Sequence, residues 1–446
     1  MTKRRLRSQD WFDNPDHADM TALYLERFMN YGITPEELTE GRPIIGIAQS
    51  GSDLSPCNRH HLDLAKRVRD GIRDAGGIPI EFPTHPIFEN CRRPTAALDR
   101  NLAYLGLVEL LHSYPIDGVV LTTGCDKTTP AAIMAAATVD IPAIVLSGGA
   151  MLDSVHEGRL AGSGTVIWQS RRRYAAGEID RAEFLEAALN SAPSIGHCNT
   201  MGTASTMNAL AEAMGLSLTG CAAIPAAYRE RGQMAYRTGK RAVEMVHEDL
   251  RPSQILTRAA MLNAIRVNAA IGGSTNAQPH LTAIAETAGI ELSKDDWQVH
   301  GYDIPLLADV QPAGRFLSER FHRAGGVPAI MWELAEVGVL DTSCLTVSGQ
   351  TQSWQVFATP QIVLNQWSGG TSNNRAGCRG RVRKTRLATA ADVIPQFREW
   401  IYCEVTPGTA KSELASRRIG QRGALVPVAG NRDHRKVTAF LHQTAP

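Results

Sequence analysis

Residues 118–137 read GVVLTTGCDKTTPAAIMAAA. Gly118 to Thr123 is a short, continuously apolar run, which is how a strand covered on both faces reads, and Pro130 to Ala137 has the small apolar residues of a packed helix. Between them lies a short polar loop, Gly124-Cys125-Asp126-Lys127. The same strand, polar loop and helix order is found on the N-terminal side. Pro43 to Gln49 is followed by a Gly/Ser/Pro-rich loop and a helical periodicity from Leu62 to Ala75. Ile78 to Phe82 is followed by a loop, Pro83 to Pro94, and a helix from Thr95 to about His112. A fourth strand is expected from Pro142 to Leu146. Strands alternating with helices indicate βαβ units, hence an α/β fold with a parallel sheet and helices on both faces. From Tyr174 to Gly338 the pattern is mostly helical, with Gly202–Met214, Met234–Val246 and Thr257–Ile271 at helical spacing, so a helical extension is expected.

In such sheets ligands bind at the carboxyl ends of the strands. Three strand-end loops here hold unusual residues: Cys57 within Ser50 to Asn58, Glu89 within His85 to Cys91, and Cys125-Asp126-Lys127. A fourth polar segment, Gly196-His197-Cys198-Asn199-Thr200, precedes a helix. Soft thiols suggest zinc or an iron–sulfur cluster, and hard carboxylates suggest magnesium. No CxxC pair is present, so zinc-finger spacing is absent. Asp126-Lys127 also reads as a helix N-terminal pair, with Asp favoured at the positive dipole end. His60, His61 and His197 are further candidate ligands, although a single histidine is more often structural. Gly148-Gly149 and Gly162-Ser163-Gly164-Thr165 read as turns or as backbone that approaches an anion.

These residues lie in longer motifs: SDLSPCNRHHLDLAKRV (52–68), TTGCDKTTPAAIMAAA (122–137), IPAIVLSGGAM (141–151), GHCNTMGTASTMNALAEAMGLSLTG (196–220), IGGSTNAQPHL (271–281) and FHRAGGVPAIMWEL (321–334). Together and in this order they resemble the family of dihydroxy-acid and phosphogluconate dehydratases, in its sugar-acid, L-arabinonate dehydratase-like branch. The resemblance covers roughly residues 5–349. It implies a [2Fe–2S] cluster held by Cys57, Cys125 and Cys198. It also implies Mg²⁺ held by Glu89, Asp126 and Lys127, the lysine being carboxylated on its amine and counted as the catalytic metal-site residue. The implied reaction is hydro-lyase chemistry, in which an aldonate such as L-arabinonate loses water to give a 2-keto-3-deoxy acid. The cluster serves as a Lewis acid on the leaving hydroxyl, and Mg²⁺ stabilises charge as the C2 proton leaves. Two alternatives stand beside it: a truncated, catalytically impaired remnant that still binds the cluster, and a dihydroxy-acid dehydratase of branched-chain amino-acid synthesis.

The resemblance stops at Val347-Ser348-Gly349. The family's serine base and second-domain Glu, in a segment resembling DGRxSGTS, have no counterpart here, and Ser368 in Ser368-Gly369-Gly370 is not assigned that role. Charge changes at the same place. Residues 350–446 carry 14 Lys+Arg against 5 Asp+Glu, whereas residues 1–349 carry 32 against 40, so the chain's net charge of +1 averages two unlike segments. The expected organisation is therefore a cluster- and Mg-binding domain at 1–349 and a basic tail at 350–446. The tail is expected to be frameshifted or disordered, in place of the family's β-rich domain. Its Arg run (375–386) lacks interleaved aromatics, so it reads as solvated charge rather than a nucleic-acid site.

The chain is 43% apolar, 20% charged and 6% aromatic, which excludes a collagen-like or wholly disordered protein. The charged start MTKRRLRSQDWFDNPDHADM has no apolar core like that of a secretory signal. The most apolar stretch, Ala131 to Met151, is broken by Asp140, Pro142 and Gly148-Gly149. A cytoplasmic protein without a membrane partner is expected, its eight cysteines thiols or ligands rather than disulfides. A homo-oligomer, dimer or tetramer, is implied by the resemblance.

Overall fold

Each apolar run forms a strand: β1 (Ile44–Gln49), β2 (Ile78–Pro83), β3 (Gly118–Thr123) and β4 (Ala143–Ser147). The computed structural model describes residues 4–87 and 97–353. Glu89, Cys91, Ser368 and all of the tail beyond residue 353 therefore lie outside the described residues. The four strands pair in parallel in the order β2-β1-β3-β4, with Ile44 beside Ile78, Ile45 beside Gly118 and Val119 beside Ala143. Every residue of β1, β3 and β4 is buried, which is why none of them alternates.

The helices follow from the crossovers. His61–Asp74 joins β1 to β2 and packs on Arg229–Glu248, and these two helices contact β1 to β4 between them. Ala97–Ser113 and Thr128–Val139 carry the chain back across the sheet in the other direction and pack on each other. Right-handed connections of opposite direction place the two pairs on opposite faces. The first pair meets through glycines: a methyl on Gly71 would lie 2.0 Å from the Tyr236 carbonyl oxygen, and one on Gly239 would lie 2.2 Å from that of Val68. The two backbones therefore touch with no side chain between them.

The helical extension is present as Thr203–Ala213, Arg258–Ala270, Ala277–Thr287 and Gly326–Glu336, among others. Thr203–Ala213 is buried along ten of its eleven residues, because it packs on Thr128–Val139, Arg258–Ala270 and Gly326–Glu336. Packing continues past position 349. Gln352 is fully buried, donating to the Ala213 carbonyl (2.6 Å) and accepting from Asn263 (2.9 Å).

Two helix starts and a hairpin depart most from the sequence reading. The Thr128–Val139 helix begins two residues early, because Thr128 closes its first turn by donating to the Cys125 carbonyl (2.8 Å), and Pro130 is tolerated in a first turn. The Arg229–Glu248 helix begins five residues before Met234. A small antiparallel hairpin, Val155–His156 with Arg159–Leu160, was not expected; its turn residues Glu157 and Gly158 both have positive φ (50° and 74°), as a tight hairpin turn requires. Among the described residues, no helix is long and apolar enough to cross a membrane.

Candidate active site

The strand order turns back between β1 and β3, so their carboxyl ends flank the crevice where open α/β sheets take ligands. The loop after β1 carries Cys57, in a single 3-10 turn from Pro56 to Asn58. The loop after β3 carries Cys125, Asp126 and Lys127. Cys198 reaches the same edge from farther along the chain, because the backbone of His197 pairs with Gly149 and Met151 just past β4 (His197 N–H to the Gly149 carbonyl, 3.1 Å; Met151 N–H to the His197 carbonyl, 2.9 Å). All three cysteines are thiols, Cys125 buried and the other two partly so.

Short polar ties fix these loops. Ser50 joins the β1 exit to β3, its amide donating to Thr122 Oγ1 (2.9 Å) and its hydroxyl to the Thr122 carbonyl (2.9 Å). The β3 exit is held by Asn208, which donates to the Gly124 carbonyl (3.1 Å) and accepts from the hydroxyls of Thr123 (2.8 Å) and Thr129 (3.2 Å). Gly124 admits no side chain: a methyl there would lie 2.3 Å from Asn58 Oδ1, so the Cys57 and Cys125 loops lie directly against each other. Lys127 Nζ lies 3.0 Å from Asp126 Oδ2, both residues buried. The Ser163 hydroxyl donates toward Cys198 Sγ (3.5 Å), and the Ser163 amide donates to Asn199 (2.8 Å). Among the described residues, no three His, Cys, Asp or Glu side chains are grouped so as to hold a single metal ion.

Asn208 gives a stability prediction. It is buried, and leucine in its place would leave the Gly124 carbonyl and two threonine hydroxyls without this partner. Unpaired buried polar groups cost about 1–3 kcal/mol each, relieved in part as the hydroxyls turn. Asn208→Leu is expected to lower the unfolding free energy by about 2–3 kcal/mol in urea titration. An unchanged midpoint would remove Asn208 as the clamp.

Behind the cysteine loops lies a buried group that single-residue reading does not assemble. His60, His61 and His197 are brought together with Arg231. His60 Nε2 donates to the Gly148 carbonyl (2.9 Å), His61 Nδ1 pairs with Ser50 Oγ (3.0 Å) and His197 Nδ1 donates to the Cys198 carbonyl (3.0 Å). The other ring nitrogen of each histidine is buried without a partner, as is Asn58 Oδ1. Burial holds all three imidazoles neutral, His197 being lowered to about 4 and His61 well below its ordinary value. Arg231 is 1% exposed; its guanidinium donates to the carbonyls of Ser147 (2.5 Å) and Ile224 and lies 3.7 Å from Cys221 Sγ, while its Nε has no partner. This explains Gly148-Gly149: a methyl on Gly148 would lie 2.0 Å from His61 Nε2, and one on Gly149 would lie 2.3 Å from the Ile224 carbonyl oxygen. Nearby, Glu212 accepts from the amides of Gly220 (2.6 Å) and Ala222 (2.7 Å), and burial raises its pKa to about 7 against those bonds.

Residues 42–355 match the dihydroxy-acid/6-phosphogluconate dehydratase N-terminal family. The chain is 73% identical over 352 residues to a D-xylonate dehydratase of Caulobacter vibrioides, covering 79% of this chain and 59% of that protein. It is 48% identical over 348 residues to an L-arabinonate dehydratase of Rhizobium leguminosarum bv. trifolii, covering 78% and 60%. Against a dihydroxy-acid dehydratase of Caldanaerobacter subterraneus it is 40% identical over 327 residues, covering 72% and 58%. The chain thus spans about three fifths of the length of the curated relatives it matches.

Proposed function

Since the chain belongs to the dihydroxy-acid/6-phosphogluconate dehydratase family, we propose that it is a hydro-lyase that removes water from a sugar acid of the aldonate class to give a 2-keto-3-deoxy acid. The observation that carries this reading is the gathering of Cys57, Cys125, Cys198, Asp126 and Lys127 on loops at one sheet edge, within the matched region. The 73% relative acts, by its name, on D-xylonate, and another on L-arabinonate, which favours a five-carbon aldonate over the branched-chain dihydroxy acids.

The donor set fits the two groups that the sequence implies. A two-iron cluster divides its thiolates between its irons, so it needs no three ligands at one point. The uncompensated cation of Arg231 suits a negatively charged guest. Cys57, Cys125 and Cys198 would hold the [2Fe–2S] cluster. Asp126 and a carboxylated Lys127 would hold Mg²⁺, together with Glu89, which lies outside the described residues. When bound, these groups supply Lewis acidity for the leaving hydroxyl and a hard cation for the substrate's carboxylate.

The chain's own residues do the holding. Asn208 and Thr128 fix the loop that presents Cys125, Asp126 and Lys127. Ser163 orients Cys198 through its hydroxyl. Burial of Asp126 and Lys127 keeps water from competing for their charges. We assign the cluster- and Mg-binding domain to 1–349, and we extend the same reading to a cytoplasmic homo-oligomer. The alternative reading from the sequence is a cluster-binding remnant with impaired turnover. The test is anaerobic assay of the iron- and magnesium-loaded chain with D-xylonate, L-arabinonate and D-gluconate, measuring 2-keto acid formation. Product from the pentonates is expected. A loaded chain that turns over no aldonate contradicts the activity and supports the remnant.

A further inference from the structure

Arg231 is a deeply buried cation. Among the described residues no carboxylate forms an ion pair with it. Its hydrogen bonds go to two backbone carbonyls and to the Cys221 thiol, which burial holds protonated, and its Nε is unpartnered. The carboxylate in its electrostatic surroundings, Glu212, has both oxygens engaged by the amides of Gly220 and Ala222. The other side chains that its charge reaches, His60, His61 and His197, are imidazoles and bring no negative charge. A charge removed from water costs several kcal/mol unless something offsets it, and two carbonyl dipoles do so only in part. The cysteine-bearing loops are tied to this same group. Cys198 is joined to it through His197, and Cys57 and Cys125 through Asn58 and His61, both packed against Gly124.

We propose that Arg231 is a positioning residue whose buried positive charge balances the negative charge of a cluster held by Cys57, Cys125 and Cys198 and thereby raises its reduction potential. This rests on the reading of that edge as a cluster site. Two ferric irons, two sulfides and three thiolates carry a net negative charge that grows on one-electron reduction, so a fixed cation nearby favours the reduced form. Glycines at 148 and 149 leave the space that His61 and Arg231 occupy, which keeps the cation close behind the loops.

The test compares wild type, Arg231→Gln and Arg231→Lys, each reconstituted anaerobically with iron and sulfide, by redox titration followed by the electron paramagnetic resonance of the reduced cluster. Glutamine keeps a donor and removes the charge; lysine keeps the charge and removes the fork. The cluster potential should fall in R231Q and stay near wild type in R231K. An unchanged potential in R231Q, or a fall in R231K as large as that in R231Q, overturns the proposal while leaving the cluster reading intact. Wild-type chain that binds no iron overturns both together. If circular dichroism shows R231Q unfolded, R231K decides alone, because a lowered potential at unchanged charge contradicts the charge-balancing role.

Discussion

Gly148→Ala should destabilise the chain by about 3 kcal/mol, the upper end of the usual cost of overpacking a well-filled core. The backbone is not at issue, since Gly148 is not among the glycines with positive φ. The cost is spatial. The added methyl would lie 2.0 Å from His61 Nε2, 2.8 Å from His61 Cδ2 and 2.9 Å from His60 Nε2. Both rings are flat and buried, His61 held at its other nitrogen by Ser50 and His60 held at Nε2 by the Gly148 carbonyl, so neither can swing aside cheaply. Moving His61 also loosens Ser50, the residue that fastens the Cys57 loop to β3. Gly106→Ala is the control: nothing lies within 4 Å of its added methyl on the Ala97–Ser113 helix. It should stabilise by roughly 0.5–1 kcal/mol, through helix propensity and a less flexible unfolded chain. Urea unfolding of the two variants should therefore move in opposite directions. A Gly148→Ala protein as stable as wild type would mean that the histidines do not occupy this space.

The second large effect is with pH. His60, His61 and His197 are neutral in the folded chain, and burial is the main cause for each. The unfolded chain takes up their protons near pH 6.5, while folded His197 resists until about 4. Below pH 6.5 the unfolded state thus binds more protons, and stability falls as pH falls. For His197 alone the loss is on the order of 3 kcal/mol once the pH reaches about 4, since one unit corresponds to about 1.4 kcal/mol. Glu212 works the other way. Its raised pKa makes stability decline as pH rises from its ordinary range to about 7, where the effect levels off. Below the ordinary range of a glutamate Glu212 no longer opposes the histidines, so the iron-free chain should unfold steeply there. Urea titrations at several pH values should show this, and His197→Asn should flatten the acid limb. An acid limb of equal slope in that variant would contradict the assignment.

How much of this was legible follows from local chemistry. β1, β3 and β4 were readable because burial on both faces leaves them almost wholly apolar, β2 because Ile78, Ile80 and Phe82 lie together between Gly77 and Pro83, and the helix from His61 because Leu64, Ala65, Val68 and Ile72 recur on one face. The edge carrying Cys57, Cys125 and Cys198 was readable because thiols in polar loops are out of place. Arg231 was not. It falls in Arg229-Glu230-Arg231-Gly232, which has the composition of a solvated helix start, and only the docking of that helix beneath the β4 exit buries it. Asn208 likewise looks like an ordinary helix residue until Gly124 is brought beside it. His61 and His197 are 136 positions apart in the chain, so no local pattern links them. The short hairpin at 155–160 has two-residue strands, too short for any alternation to show; only Glu157-Gly158 signals it.

The central claim is that this edge is built to take a thiolate-held cluster. The most direct measurement is iron and acid-labile sulfide bound after anaerobic reconstitution, for wild type and for Cys57→Ala, Cys125→Ala and Cys198→Ala. About two irons and two sulfides are expected per wild-type chain, with each alanine variant folded by circular dichroism but retaining far less of either. Wild-type chain that binds no iron, or alanine variants that bind as much as wild type, would contradict it.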